Sequence, residues 1–336
     1  MKLAASATKH DAESGGDVIM RQELDAREYK LLLNPAKFVA PLSKASANAF
    51  WRREVEQIIR ECFDSSHAVE NAFDELLERN VQYWDTHDCA LASADLTLRS
   101  RVDASAGRAP VDEHEITLKL RMADFFVVAD TRLDRSDGDK KPAFEEDIAP
   151  DEVKPPHPAA AVVFPARPSI RSRYALTTKR QRRWEESSRT EGHLGRLFPA
   201  IVDLLKRPLG DGRLVGGPEV DEFAARGAKV RFDQDFVGEF TLTLWHLGAV
   251  KETPAIAEVS FKCDTPGGEM SGKAARKALK LFNALQADLG DYVNTTHSSK
   301  TALALPAGRT MDRMGAVEAT SAASARPSRG AQHIIF

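Results

Sequence analysis

Charged side chains recur at every second position in several short segments of the chain, and most of them are basic. Arg99 and Arg101 form one such pair, and Lys119 and Arg121 form another. Side chains two residues apart on a β-strand share a face, so this spacing places cations together on one face of a sheet. Guanidinium and ammonium groups held in this way are donors that suit phosphate oxygens. The spacing therefore indicates a surface that binds a polyanion.

The polar faces of six predicted strands carry far more positive than negative charge. They hold eleven cations against four anions, which are Glu28, Glu115, Asp233 and Glu258. Like charges on neighbouring strands repel, so a polyanionic ligand is a physical reason to keep them. An antiparallel sheet with one solvated face is the simpler alternative, although such a sheet would mix its signs more evenly. The cations are Lys30, Arg99, Arg101, Lys119, Arg121, Arg171, Arg173, Lys179, Lys229, Arg231 and Lys262.

The elements that must position these charges are strands and amphipathic helices, which together indicate an α+β protein. If the helices cover the apolar face of the sheet and the sheet closes on itself, its charged face lines a cationic tunnel. Helical apolar spacing predicts helices over about 41–63, 67–79, 193–206 and 270–292. Alternation predicts strands near 24–33, 80–86, 95–103, 114–122 (extending through 125–129), 171–181, 227–234, 238–247 and 254–263.

Three segments lack this periodicity. Residues 1–20 are small and polar, which predicts a flexible arm, and residues 295–336 are rich in Ala, Ser, Arg, Gly and Thr, which predicts a disordered tail. Residues 133–168 contain seven prolines and a cluster of acids, so we expect a mobile insertion there. The tunnel domain is then expected to span 21–294.

Composition excludes several classes of protein. The chain has 336 residues and a net charge of −3, which disfavours a globally basic nucleic-acid-binding protein. No run approaches the ~20 apolar residues of a membrane-spanning helix. Residues 1–17 show no secretory signal, and the three cysteines are widely spaced, so we expect reduced thiols and a cytoplasmic location.

The segment YWDTHDCALASADLTLRSR (Tyr83–Arg101) resembles a signature of the CYTH, or triphosphate tunnel metalloenzyme, superfamily. Members carry two aromatic residues followed by Asp-Thr, then an acid, a leucine stretch and Leu-Arg-x-Arg. Similar motifs follow the family's order along about 24–292, interrupted by the proline-rich segment. They are REYKLLL (Arg27–Leu33), EITLKLR (Glu115–Arg121), AEVSFKC (Ala257–Cys263) and the closing helix at 270–292.

This resemblance implies an antiparallel, eight-stranded closed β-barrel that forms a tunnel, with helices packed outside. In the family, basic side chains in the tunnel bind a tri- or polyphosphate, and carboxylates hold a divalent metal such as Mg²⁺ or Mn²⁺. The resemblance therefore implies that the chain binds and hydrolyses a triphosphate-containing compound, such as inorganic, nucleoside or thiamine triphosphate.

Transferred residue by residue, the resemblance makes Glu28 and Glu258 metal ligands, with internal salt bridges as the alternative role for both. Either Lys179 or Arg182 would match the family's mid-chain cation. Strand alternation adds Arg121, Arg173, Arg231 and Lys262 to the phosphate-binding set. The resemblance itself assigns phosphate contacts to Lys30, Arg99, Arg101 and Lys119.

The acidic half of the family pattern is depleted in this sequence. Ala26 stands where the first strand usually carries an acid, and Ser260 replaces the second acid of the late pair. One alternative is therefore a module that binds polyphosphate or a nucleotide without turning it over. A further alternative is a structural α+β protein whose basic sheet binds an acidic protein or RNA.

Overall fold

The computed structural model describes residues 22–63, 68–104, 113–151, 170–248, 253–294 and 300–306. Within these ranges no helix combines the length and the apolar composition required to cross a membrane. The described ranges contain eleven strands. They are β1 (Ala26–Leu33), β2 (Val69–Asn71), β3 (Glu75–Asp85), β4 (Leu96–Asp103), β5 (Glu113–Met122), β6 (Ala143–Pro150), β7 (Ile170–Arg183), β8 (Val215–Gly216), β9 (Val220–Arg231), β10 (Val237–Leu247) and β11 (Ile256–Asp264).

Nine of these strands form a closed ring. Their order is β9, β10, β11, β1, β6, β7, β5, β4 and β3, and the pairing of β3 with β9 closes the barrel. The remaining strands, β2 and β8, extend the sheet outside the ring. Closure was predicted from the sequence, and it gives every strand of the ring an inner and an outer face.

The barrel is mixed and nine-stranded, so the prediction of eight antiparallel strands was wrong in number and in direction. The additional strand is β6, which pairs antiparallel with β7 and parallel with β1. It lies within the segment that the sequence assigned to a mobile insertion. The alternation of apolar and acidic side chains along β6 explains why this strand packs in the barrel. Phe144 and Ile148 are fully buried on the outer face, and the acids between them take part in ion pairs.

Two layers of helices cover the outside of the barrel. A continuous helical segment comprises α1 (Lys44–Phe50), a π-helical turn (Trp51–Val55) and α2 (Glu56–Phe63), and it packs with α7 (Gly272–Asp288) over β1, β9, β10 and β11. Trp51 and Phe282 belong to this core. The second layer covers β4, β5 and β7. It contains α3 (Ala90–Ser93), α4 (Phe125–Asp130), α5 (Glu191–Leu197) and α6 (Ile201–Leu205).

Three predicted elements differ from the structure. The helix predicted over 67–79 is absent, and β2 and the first half of β3 occupy this range because Leu76 pairs with Ala225 of β9. The predicted strand extension through 125–129 is the helix α4, whose first amides donate to the Asp124 carboxylate. The single helix predicted over 193–206 is divided into α5 and α6 around Pro199, because proline disfavours a helical conformation in the residue that precedes it.

Part of the predicted tail packs on the barrel. Residues 300–306 include the helix α8 (Thr301–Ala304), and Ala304 and Leu305 are buried in a small apolar cluster that contains Trp245. The flexible arm predicted at 1–20, most of the predicted insertion after Asp151, and residues 307–336 lie outside the described residues.

Candidate active site

A cavity of about 600 Å³ runs through the barrel and is lined by the inner faces of its strands. This volume lies within the range of roughly 300–1,000 Å³ that is usual for small-molecule sites. Among the described residues, ten basic side chains line the cavity, together with four acidic ones. The basic residues are Lys30, Arg79, Arg99, Arg101, Lys119, Arg121, Lys179, Arg226, Lys262 and Lys300, and the acidic residues are Glu28, Glu145, Glu222 and Glu258.

Most of the residues that the sequence singled out lie together in this cavity. Seven of the nine predicted phosphate-binding residues and both predicted metal ligands are among the lining residues. Arg173 is not among the lining residues. It lies near the start of β7, where it pairs in register with Asp147 of β6. Arg231 is exposed and forms an ion pair with Glu70, because the pairing of β9 with β3 ends at Arg226 and β9 pairs beyond that residue with β2.

Three carboxylates form an acidic cluster on one side of the cavity. These are Glu28 of β1 and Glu145 and Asp147 of β6, and their ligand atoms all lie within 4.8 Å of one another. The parallel pairing of β1 with β6 places Glu28 in register with Asp147. The cluster can hold a metal, because carboxylate oxygens are the ligands that Mg²⁺ and Mn²⁺ prefer. Sequence reasoning missed Glu145 and Asp147 because they lie in the proline-rich segment.

Each carboxylate of the acidic cluster already accepts from a basic side chain. Asp147 lies 2.6 Å from Lys30 Nζ, 3.2 Å from Lys119 Nζ and 2.5 Å from a guanidinium nitrogen of Arg121. Lys30 Nζ is also 2.9 Å from Glu28. A divalent ion at the cluster must therefore replace one or more of these cations.

The same contacts shift the ionisation of the cluster. Burial opposes the charge on Asp147, but the cations of Arg121, Lys119 and Lys30 outweigh it and hold the pKa of Asp147 well below its usual value. Burial also opposes the charge on Lys30, yet Asp147 and Glu28 raise the pKa of its ammonium. For Lys119, burial and the charges of Arg121 and Lys30 prevail over Asp147 and lower its pKa to about 8.

A second group of charges, which is dominated by arginines, is centred on Glu115. Arg101 lies 2.6 Å and Lys179 3.3 Å from the Glu115 carboxylate, and Arg99 lies 3.5 Å from it. Burial favours the neutral form of Glu115, but Arg101, Lys179 and Arg99 prevail and lower its pKa to about 2. This group presents several cations around one carboxylate, so it is suited to a phosphate and not to a metal.

Glu258 lies in the cavity but outside the acidic cluster. Its carboxylate accepts a hydrogen bond of 2.5 Å from the ammonium of Lys300, so it takes part in an internal salt bridge. Glu222 is buried nearby, where it accepts from Trp245 Nε1 at 2.9 Å and pairs with Arg79 at 3.3 Å. Sequence reasoning also missed Arg79, Arg226, Glu222 and Lys300. Arg79 lies in the range that was predicted as a helix, and Lys300 lies in the predicted tail. Arg226 and Glu222 lie on the part of β9 that precedes the predicted strand at 227–234.

No family model and no curated protein sequence matches the chain. Solved structures do match. A candidate adenylyl cyclase from Hippeastrum, described as having a dominant triphosphatase activity, is 13% identical with a TM-score of 0.39, over 83% of this chain and 94% of that one. A candidate adenylate cyclase from Bacillus halodurans is 11% identical with a TM-score of 0.32, over 83% and 97%. A protein from Pyrococcus horikoshii is 12% identical with a TM-score of 0.34, over 82% and 96%.

At identities of 11–13% these matches concern the fold alone. The charges and contacts of the tunnel are features of this chain, and they carry the functional conclusions that follow. The chain is thus similar over most of its length to solved structures that include two candidate adenylate cyclases, one of which is described as having a dominant triphosphatase activity.

Proposed function

We propose that the protein binds and hydrolyses a triphosphate-containing compound, such as inorganic, nucleoside or thiamine triphosphate, in its basic tunnel with a divalent metal. The observation that carries this proposal is the charge of the cavity. Its ten basic and four acidic lining residues leave an excess of six positive charges. Counting Asp147 and Glu115, which pair with lining cations, reduces this excess to four. A linear triphosphate, which carries several negative charges, complements this excess.

Ligand binding would exchange one set of ion pairs for another. In the structure, the tunnel cations pair with Asp147, Glu145 and Glu115. Phosphate oxygens compete with these carboxylates for the same donors, and a polyphosphate presents several oxygens at once. The carboxylates that lose their cations then become available to a metal. The tunnel is therefore organised so that phosphate binding prepares the acidic cluster.

The residues of the acidic cluster fit a divalent metal, since all three donors are carboxylates at close range. Glu28, Glu145 and Asp147 would hold the ion. A bound Mg²⁺ or Mn²⁺ supplies charge neutralisation and orientation of phosphate oxygens.

The remaining chemistry belongs to the side chains of the tunnel. Arg99, Arg101 and Lys179 would hold one part of the phosphate chain, and Lys119, Arg121 and Lys262 would hold another. Fixing both ends orients the terminal phosphorus for in-line attack by water, and phosphoryl transfer depends mainly on such positioning and charge neutralisation. Attack breaks the terminal P–O bond, so tripolyphosphate would yield orthophosphate and diphosphate.

The experiment compares phosphate release from tripolyphosphate, ATP and thiamine triphosphate with Mg²⁺ or Mn²⁺. The wild type is compared with the double variant Glu28→Gln/Glu145→Gln, which removes two of the three carboxylate charges of the acidic cluster. Glu269→Gln serves as the control, because Glu269 is exposed outside the tunnel. We expect turnover in the wild type and in the control, and its loss in the double variant.

A binding module without turnover is the second candidate function. The observation that favours it is the occupation of every carboxylate of the acidic cluster by a basic side chain. In that case tripolyphosphate would raise the melting temperature of the protein without being hydrolysed. Failure of tripolyphosphate, ATP and thiamine triphosphate to stabilise the wild type would contradict both functions.

A further inference from the structure

Lys300 is a tunnel cation that comes from the C-terminal segment and not from a strand. Its Nζ lies 2.5 Å from Glu258 Oε1 and 5.2 Å from the centroid of the Trp245 ring. The Lys300 side chain is 22% exposed, and that of Glu258 is 5% exposed. The adjoining residues of α8 anchor the segment, since Ala304 is fully buried. The ammonium is therefore held inside the cavity by the packing of its own segment.

A second carboxylate contributes to the environment of Lys300. Glu222 and Glu258 lie on β9 and β11, which flank β10, where Trp245 pairs in register with Glu222 and Thr243 pairs with Glu258. Burial opposes the charge on Lys300, but Glu258 and Glu222 outweigh it and raise the pKa of its ammonium. Lys300 thus pairs with Glu258, and Glu222, which itself pairs with Arg79 and Arg101, adds negative charge to the surroundings of the ammonium. Neither carboxylate belongs to the acidic cluster.

The chemistry of this position is that of a cation site. Two carboxylates and the face of an aromatic ring attract positive charge. An ammonium supplies one charge and three donors on a tethered stem. A divalent ion at the same carboxylates would meet the ammonium at close range in a site largely removed from water, where like charges repel strongly.

We propose that Lys300 occupies a second cation position of the tunnel, between the ring of Trp245 and the carboxylate of Glu258, with Glu222 held beside the same ring by its bond from Trp245 Nε1. The chain then excludes a divalent ion from these carboxylates, and Glu28, Glu145 and Asp147 hold the only metal that the described tunnel residues bind. The assignment of that one metal rests on the proposed function. The exclusion by Lys300 is independent of it.

The test counts Mn²⁺ ions bound per chain by equilibrium dialysis against Mn²⁺ alone. Lys300→Met keeps most of the side-chain stem and removes the charge, so it should bind one more Mn²⁺ than the wild type. Lys300→Arg keeps the charge and should bind the same number as the wild type. Adding Glu258→Gln to Lys300→Met should abolish the additional ion. Lys44→Met, which replaces an exposed lysine, is the matched control.

An equal Mn²⁺ count in Lys300→Met and the wild type would overturn the proposal, as would a gained ion in Lys300→Arg. If Lys300→Met does not fold, Lys300→Gln replaces it and should likewise bind one more Mn²⁺ than the wild type, and an equal count would overturn the proposal. Glu258 is not a metal ligand in the wild type under this proposal, so Glu258→Gln should leave the Mn²⁺ count unchanged, and a lost ion would refute it. Absence of tripolyphosphate binding or hydrolysis would refute the proposed function alone, because the difference in Mn²⁺ count does not involve phosphate.

Discussion

At the scale of single residues, arginines of similar chemistry have opposite placements. Arg101 lies in the cavity beside Glu115, whereas Arg231 is exposed and pairs with Glu70. A charge-assisted hydrogen bond contributes about 1.5–3 kcal/mol, which corresponds to roughly ten- to hundredfold in affinity. We therefore expect Arg101→Met to weaken tripolyphosphate binding by at least tenfold in calorimetry. Arg231→Met should bind tripolyphosphate as tightly as the wild type does. Equal losses of affinity in the two variants would contradict the assignment of the tunnel as the phosphate-binding site.

Glu115 gives the protein a pH dependence whose sign follows from its cations. Its pKa is about 2 in the folded protein and near 4.5 in the unfolded chain, so its contribution to stability is fully present above the unfolded value. This contribution is lost as the pH falls towards the folded value. Between pH 6 and pH 3 we expect the wild type to lose about 2 kcal/mol more than Glu115→Gln. Urea unfolding at both pH values measures this difference, and a constant gap between the two proteins would refute it.

Residue types and alternation predicted a large part of the candidate site. Lys30, Arg99, Arg101, Lys119 and Lys262 were identified because period-two spacing determines which side chains share a face. The spacing does not determine where a strand changes its partner, so Arg231 was assigned to the same group although the pairing of β9 with β3 ends at Arg226. The period-two spacing also gives no indication of Lys300, because the segment that brings this lysine into the tunnel has no periodic pattern.

At the scale of elements, β6 shows why the acids were harder to predict than the bases. Prolines and acids dominate its surroundings in the sequence, and this composition is typical of segments that do not pack. Residues 143–150 nevertheless form a strand, because pairing with β1 and β7 places β6 in the ring and completes it. Three consecutive acids, Glu145, Glu146 and Asp147, then face alternate sides of the barrel wall.

This alternation makes neighbouring residues of β6 suitable as matched variants. Glu145 pairs with Lys262 in the tunnel, whereas Glu146 accepts from Arg27 and Ser172 on the outer face. We expect Glu145→Gln to weaken Mn²⁺ binding in the presence of tripolyphosphate. Glu146→Gln should bind Mn²⁺ normally but lose about 1–3 kcal/mol of stability, because it weakens a buried ion pair. Calorimetry and urea unfolding separate the two effects, and the reverse result would show that the register of β6 is wrong.

At the scale of the whole molecule, the ring concentrates positive charge although the net charge of the chain is −3. Binding should therefore depend on the number of ligand charges and on ionic strength. We expect tripolyphosphate to raise the melting temperature more than diphosphate, and diphosphate more than orthophosphate. Higher NaCl concentrations should reduce all three shifts, because salt screens charges. Thermal unfolding with each anion tests this order, and shifts that are equal for the three anions would contradict a tunnel built for a chain of phosphates.

The position of β1 in the ring also determines when the protein can fold. This strand is the first of the described strands, yet its neighbours are β6 and β11, so residues 26–33 pair with residues 257–264. During synthesis, one edge of β1 therefore lacks its partner until β6 at residues 143–150 is made, and the other edge lacks its partner until β11 at residues 256–264 is made. Contacts between residues so far apart in the sequence slow folding. The ring can therefore close only after β11, the last of its strands in the sequence, has been made.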